Sequence, residues 1–231
     1  MSPAPGLFSA LTRPRVHTLH ILGAESSGKT QLSQALALRL QNHGIACEWV
    51  GEHLRSWVRQ HQRTPQAHEQ AAIAAAQAQA CLDAHQRLSR LSAPLAVLIA
   101  DTTPLMTALY SQHYFGDASG IDNGVVFERG ADQRWLMGLD LPWQPDPGQR
   151  DGPAHRDAMD TTLRHTLANA KLSYAVIYGT GEQREQAAWL ALQTALSTDP
   201  NTPRLKSRWR AACDCCADPD CELALFTQLK G

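Results

Sequence analysis

The sequence carries no excess of either charge. Its 21 Lys and Arg against 22 Asp and Glu leave a net charge of −1 and a pI of about 6.8, so no global field draws nucleic acid or an anionic membrane to the chain. Any phosphate it binds has to be held locally. An uninterrupted apolar run of about 18 residues, the length a membrane-crossing helix needs, is missing, and Met1 to Arg15 lacks the apolar stretch of a secretory signal. These absences exclude a nucleic-acid or membrane partner and point to a cytoplasmic protein. The six cysteines do not form a secreted disulfide framework, because Cys47 and Cys81 fall in core-like positions while Cys213, Cys215, Cys216 and Cys221 crowd the C-terminal stretch. No internal repeat and no H-x₃-H metal pair occurs.

What is present is a stretch with specific chemistry. Gly23-Ala24-Glu25-Ser26-Ser27-Gly28-Lys29-Thr30 matches G-x-x-x-x-G-K-[ST] in full. The preceding Val16 to Leu22 reads as a strand, and Leu32, Leu36 and Leu40 lie at helical spacing after it. A strand feeding a glycine turn that opens a helix aims backbone N–H groups and the positive helix end at one point, where a polyphosphate belongs. In this pattern Lys29 reaches the β and γ phosphates and the Thr30 hydroxyl ligates magnesium.

The rest of the chain alternates strands with helices. Residues 1–15 read as a mobile leader, 16–197 as one domain and 198–231 as a cysteine-rich tail. Strands are expected at Ile45–Val50, Leu95–Ala100, Arg134–Leu139 and Tyr174–Tyr178. Helices are expected at Glu52–Gln60, Gln66–Leu91 (one long alanine-rich element), Pro104–Tyr114, His155–Lys171 and Glu182–Leu196. Phe115–Gly130 reads as irregular, and the proline-rich Asp140–Pro153 as a functional loop. The alternation predicts an α/β sheet.

Several residues could carry chemistry beyond the glycine turn. Asp101 ends an apolar strand, where such proteins place a magnesium carboxylate. Its successors are Thr102 and Thr103 rather than a second acid, which favours transfer to a bound acceptor over hydrolysis; a guanine-specific N-K-x-D is also missing. Glu52, with Arg55 three residues on, sits where a base could orient an acceptor hydroxyl, and Asp101 is the rival for that role. Arg150 and Arg156 flank the proline-rich segment, placed to close over phosphates. Trp57, Tyr110, Tyr114, Trp135 and Trp143 offer stacking faces or core packing. In the tail, Cys213 and Cys216 have C-x₂-C spacing with Cys215 and Cys221 as further thiolates, which leaves zinc binding, reduced thiols and a redox pair as alternatives.

The G-A-E-S-S-G-K-T loop, Gly51-Glu52-x-x-Arg55, Asp101-Thr102, and Asp140-Leu141-Pro142-Trp143 running to Arg150-Asp151-Gly152 together resemble the NadR-type P-loop domain, the ribosylnicotinamide kinase-like family, over residues 16–197. The resemblance implies a P-loop NTPase fold, three layers (α/β/α) around a mainly parallel five-stranded sheet of the nucleoside/nucleotide kinase kind, with ATP and magnesium as cofactors. It implies transfer of the ATP γ-phosphate to a hydroxyl of nicotinamide riboside or another nucleoside, with Lys29, Glu52, Asp101, Arg150 and Arg156 as catalytic residues. The H-x-G-H of a nucleotidyl transferase is not matched, since His17-Thr18-Leu19-His20 is H-x-x-H inside a strand. The reading from a different class is a nucleotide-binding regulatory module without a small-molecule acceptor.

Overall fold

The computed structural model describes residues 15–144 and 152–198. The elements run β1 (Arg15–Leu22), α1 (Lys29–Asn42), β2 (Ala46–Val50), α2 (His53–His61), a 3₁₀ turn (Ala67–Glu69), α3 (Gln70–Ser89), β3 (Leu95–Asp101), α4 (Pro104–Phe115), α5 (Ile121–Arg129), β4 (Gln133–Met137), α6 (Pro153–Asn169), β5 (Ala175–Ile177) and α7 (Gly181–Thr198). The five strands form one sheet in the order β2-β3-β1-β4-β5, and every pairing is parallel.

The apolar strands explain this sheet. Every residue of β3 is buried, as a strand covered on both faces must be. Leu19 and Ile21 of β1 pack with Leu32, Leu36 and Leu40 of α1 and Trp189, Leu192 and Leu196 of α7 on one face. On the other face Leu22 meets Leu105 and Leu109 of α4 and Met159, Leu163 and Leu167 of α6, and Ala96, Leu98 and Ala100 meet Cys81, Ala84 and Leu88 of α3. The result is the three-layer α/β/α architecture. No described helix is long and apolar enough to cross a membrane.

Two expectations are corrected. The Phe115–Gly130 segment is not irregular: α4 ends at Gly116 (φ +70°), and α5 follows. Gly124, which reads as a breaker, is inside that helix because a Cβ there would stand 2.7 Å from Leu105 Cα; its bare backbone lets α5 lie against α4. The long alanine-rich helix begins four residues later than expected, at Gln70. The chain first makes the 3₁₀ turn, closed by a reciprocal capping box between Gln66 and Glu69.

The parallel register places the chemistry. Ile21 of β1 lies beside Asp101 of β3 and Trp135 of β4, so the carboxyl ends of the three central strands open on one edge of the sheet. Arg150 and the tail cysteines Cys213, Cys215, Cys216 and Cys221 lie outside the described residues.

Candidate active site

The glycine turn leaves β1 with Gly23 at φ +148°, passes Ser26 at φ +57° and enters α1 through Gly28 at φ +81°. The positive φ at Gly28 favours glycine, and a Cβ there would also press on Leu141 Cδ1 at 2.8 Å and Arg184 Nη1 at 3.0 Å. The α1 N-terminus has no side-chain cap and no acidic residue in its first turn, leaving its N–H groups to an outside anion. Ser27 Oγ donates to Ala24 O at 2.7 Å. The buried Lys29 ammonium donates to Gly23 O at 2.7 Å and Ala24 O at 2.8 Å, which spans the loop and leaves the third of its donors for a ligand. Burial lowers the Lys29 pKa, opposed by the nearby carboxylates of Glu52, Asp101 and Glu25.

Arg184 of α7 braces this loop from behind, a role no local motif announces. Its guanidinium donates to Ser27 O at 2.8 Å and to Asp140 Oδ1 at 2.9 Å, and Asp140 in turn accepts from Gly179 N. Burial lowers the Arg184 pKa and Asp140 opposes that shift. The segment after β4 docks on the front of the loop: Gln144 N donates to Ser26 Oγ at 2.8 Å, and Arg156 Nη1 donates to Leu141 O at 2.9 Å. Arg156, expected over phosphates, is thus found clasping the backbone of that segment. A cavity of about 320 Å³ opens between them, lined by Ser26, Lys29, Thr30, Arg55, Pro142 and Gln144 among others.

Asp101 is 1% exposed. Both its carboxylate oxygens lack a hydrogen bond of ordinary geometry among the described residues. Burial pushes its pKa up, while the adjacent Thr30 hydroxyl and Lys29 ammonium favour the charged form. A buried carboxylate beside the Thr30 hydroxyl makes an all-oxygen donor set, which suits a hard cation such as magnesium. Among the described residues no cluster of three or more His, Cys, Asp or Glu could hold a metal ion. Cys47 and Cys81 are free thiols, which burial raises to about 12 and about 11.

A second cavity, of about 750 Å³, adjoins the first. Lys29 and Arg55 line both. Glu52, at the N-cap of α2, holds Arg55 through an Oε2–Nε contact of 2.6 Å, so the sequence-predicted pair is brought together at the junction. Glu25, expected to bind nucleotide as part of the glycine loop, forms part of the second cavity's wall and accepts from Tyr110 Oη at 2.5 Å. Burial and the Glu25 charge raise the Tyr110 pKa well above its ordinary value, so the phenol keeps its proton. Tyr110 stacks on Tyr114 at 6.1 Å, and both, with Phe115, form an aromatic wall. Arg63 also lines this cavity, held by both oxygens of Glu69 at 2.6 and 2.7 Å and lying 4.8 Å over Trp57. Of the other aromatic candidates, Trp135 is core, and Trp143 Nε1 is buried without a partner among the described residues.

Comparison with known proteins bears on this arrangement. A family model described as an AAA domain matches residues 18–184. Among solved structures the chain is similar to the NadR protein in complex with NAD and AMP-PNP, at a TM-score of 0.58 and 18% identity over 78% of this chain and 49% of that one. It is similar to NadR protein in complex with NR at a TM-score of 0.58 and 17% identity, covering 82% and 53%. Thymidylate kinase from Ehrlichia chaffeensis shares the fold at a TM-score of 0.55 and 16% identity, covering 79% and 100%. The chain therefore spans about half the length of the NadR structures it matches. No curated protein sequence matches it.

Proposed function

The chain belongs to the AAA domain family, as a NadR-like P-loop domain, and from that premise we propose that it is an ATP- and magnesium-dependent kinase that phosphorylates a nucleoside hydroxyl, nicotinamide riboside first among the candidates. The observation that carries this reading is the junction of the two cavities at Lys29 and Arg55. A γ-phosphoryl group cradled by the loop of residues 23–30 would face an acceptor in the larger cavity, with the same two cations at both ends of the transfer.

In this reading Lys29 binds the β and γ phosphates and holds the transferring group. Thr30 and Asp101 would hold a magnesium ion, which would supply charge neutralisation for the phosphate oxygens. Glu52 is on the acceptor cavity and Asp101 is not, which supports Glu52 as the group that accepts the acceptor hydroxyl's proton. Arg55 would stabilise charge on the transferred group.

Charge supports a nucleoside over a nucleoside monophosphate. Arg55 and Arg63 of the larger cavity are each held by a carboxylate, Glu52 and Glu69, and Glu25 adds negative charge to the wall. A neutral acceptor with a planar base fits a cavity whose arginines are already paired with carboxylates and the Tyr110–Tyr114 wall. NadR has been seen with NR, which supports that choice.

The test is acceptor dependence. Purified protein with ATP and magnesium is offered nicotinamide riboside, other nucleosides and nucleoside monophosphates, and ADP release is followed. A nucleoside should raise turnover well above the acceptor-free rate. Slow turnover unmoved by every acceptor would overturn the kinase reading in favour of a nucleotide-binding regulatory module.

A further inference from the structure

Asp101 is followed by a backbone conformation that its neighbours alone do not explain. Thr102 has φ +75°, the left-handed region that a β-branched residue avoids unless the surroundings over-determine it. Thr102 N donates to Ile21 O at 3.1 Å, which ties the turn to β1. The next residue, Thr103, is the N-cap of α4, yet its side chain makes no cap hydrogen bond. A threonine at this position ordinarily accepts from the helix's first N–H groups. Here its hydroxyl donates instead to Glu128 Oε1 at 2.5 Å.

Glu128 is wholly buried on α5, the helix that the sequence disguises. Its other oxygen meets His20 Nδ1 at 2.9 Å, and the His20 ring stacks on Phe127 at 5.2 Å. Arg134 stands 3.7 Å from the same carboxylate and donates to the Glu128 carbonyl at 2.6 and 2.9 Å. The carboxylate therefore ties α5 to β1 through His20, faces Arg134 of β4, and holds the Thr103 hydroxyl two residues after Asp101. The Thr30 hydroxyl is the side-chain hydrogen-bonding group beside the buried Asp101 carboxylate, so the backbone turn that follows Asp101 shares in setting its aim.

We propose that Glu128 is a positioning residue for magnesium: by holding the Thr103 hydroxyl it fixes the Asp101–Thr102 turn, and so sets the affinity of the nucleotide site for the metal. This rests on the reading of Asp101 as the metal carboxylate. One oxygen of this buried acid is paired with His20 and faces Arg134, while the other is given to the hydroxyl of the residue that follows the strained Thr102. Residues that orient a metal ligand typically change metal affinity when removed.

The experiment measures binding of a fluorescent ADP analogue across a magnesium titration, without turnover, for the full chain and its variants. Asp101→Asn should raise the magnesium concentration for half-maximal effect, and Thr103→Val and Glu128→Ala should raise it about tenfold, with metal-free binding little changed. Thr103→Ser, which keeps the hydroxyl, and Glu128→Gln, which keeps an acceptor oxygen, should restore near-normal values. If Glu128→Ala does not fold, the Val and Ser variants at position 103, matched in unfolding midpoint, decide alone. A shift with Asp101→Asn but none with Thr103→Val overturns the role of Glu128 and leaves that of Asp101. No shift with Asp101→Asn overturns both.

Discussion

Glu52 and Arg55 stand 2.6 Å apart at the start of α2, with Glu52 on the larger cavity and Arg55 on both. In the proposed mechanism the acid would face the acceptor and its partner would reach the phosphates. Glu52→Gln should therefore lower kcat about 10²- to 10⁴-fold, the worth of a positioned base, and leave ATP binding within about threefold. Steady-state kinetics beside nucleotide binding would check this, and a kcat near that of the parent would move the base elsewhere.

Arg184 joins the phosphate loop to the end of β4 through Ser27 O and Asp140. Arg184→Ala leaves Asp140 without its cation and Ser27 O without its donor, so a loss of about 2–3 kcal/mol is expected. ATP affinity should weaken in parallel, because the loop loses its brace. Chemical denaturation and nucleotide titration of the same variant would show whether the two losses travel together.

His17 gives the fold a pH dependence of known sign. It is buried in β1, with both ring nitrogens unpartnered by hydrogen bonds among the described residues. Burial lowers its pKa below 6.5, Arg15 adding to the shift and Asp132 opposing it. The unfolded chain then binds the proton more readily than the folded one, so the neutral imidazole's contribution is full above pH 6.5 and is lost as pH falls toward the folded pKa. Urea unfolding at about pH 7.5 and about pH 5 should show the loss, and His17→Leu should flatten it.

Gly124 is the contact between α5 and α4. Although alanine favours a helix over glycine by about 1 kcal/mol, a Cβ here meets Leu105 Cα at 2.7 Å. Overpacking against backbone should win, and Gly124→Ala should destabilise by about 1–3 kcal/mol. A raised melting temperature would contradict the tight α4–α5 packing.

The phosphate loop, Asp101 and the Glu52–Arg55 pair were legible in the sequence because each is local: a contiguous motif, a strand end, an i,i+3 spacing. Glu128, Arg184 and the Glu25–Tyr110 pair were not, because each works across the fold. Glu25 and Tyr110 are 85 residues apart, and Arg184 reaches Ser27 across 157; no spacing rule covers such distances. Helix α5 was hidden by Gly124, whose packing reason exists only once α4 lies beside it. Arg156 shows the reverse limit: its place near the loop was foreseen, but its contact with Leu141 O was not.

The central claim is that the phosphoryl group passes from the loop of Lys29 to a hydroxyl held near Glu52. Its most direct measurement is the product balance with ATP, magnesium and saturating nicotinamide riboside, reading ADP, free phosphate and phosphorylated nucleoside together. The account predicts one phosphorylated nucleoside for each ADP with little free phosphate, and loss of both products in Lys29→Ala. ADP matched by free phosphate, with no phosphorylated nucleoside from this or any other nucleoside acceptor, would contradict it.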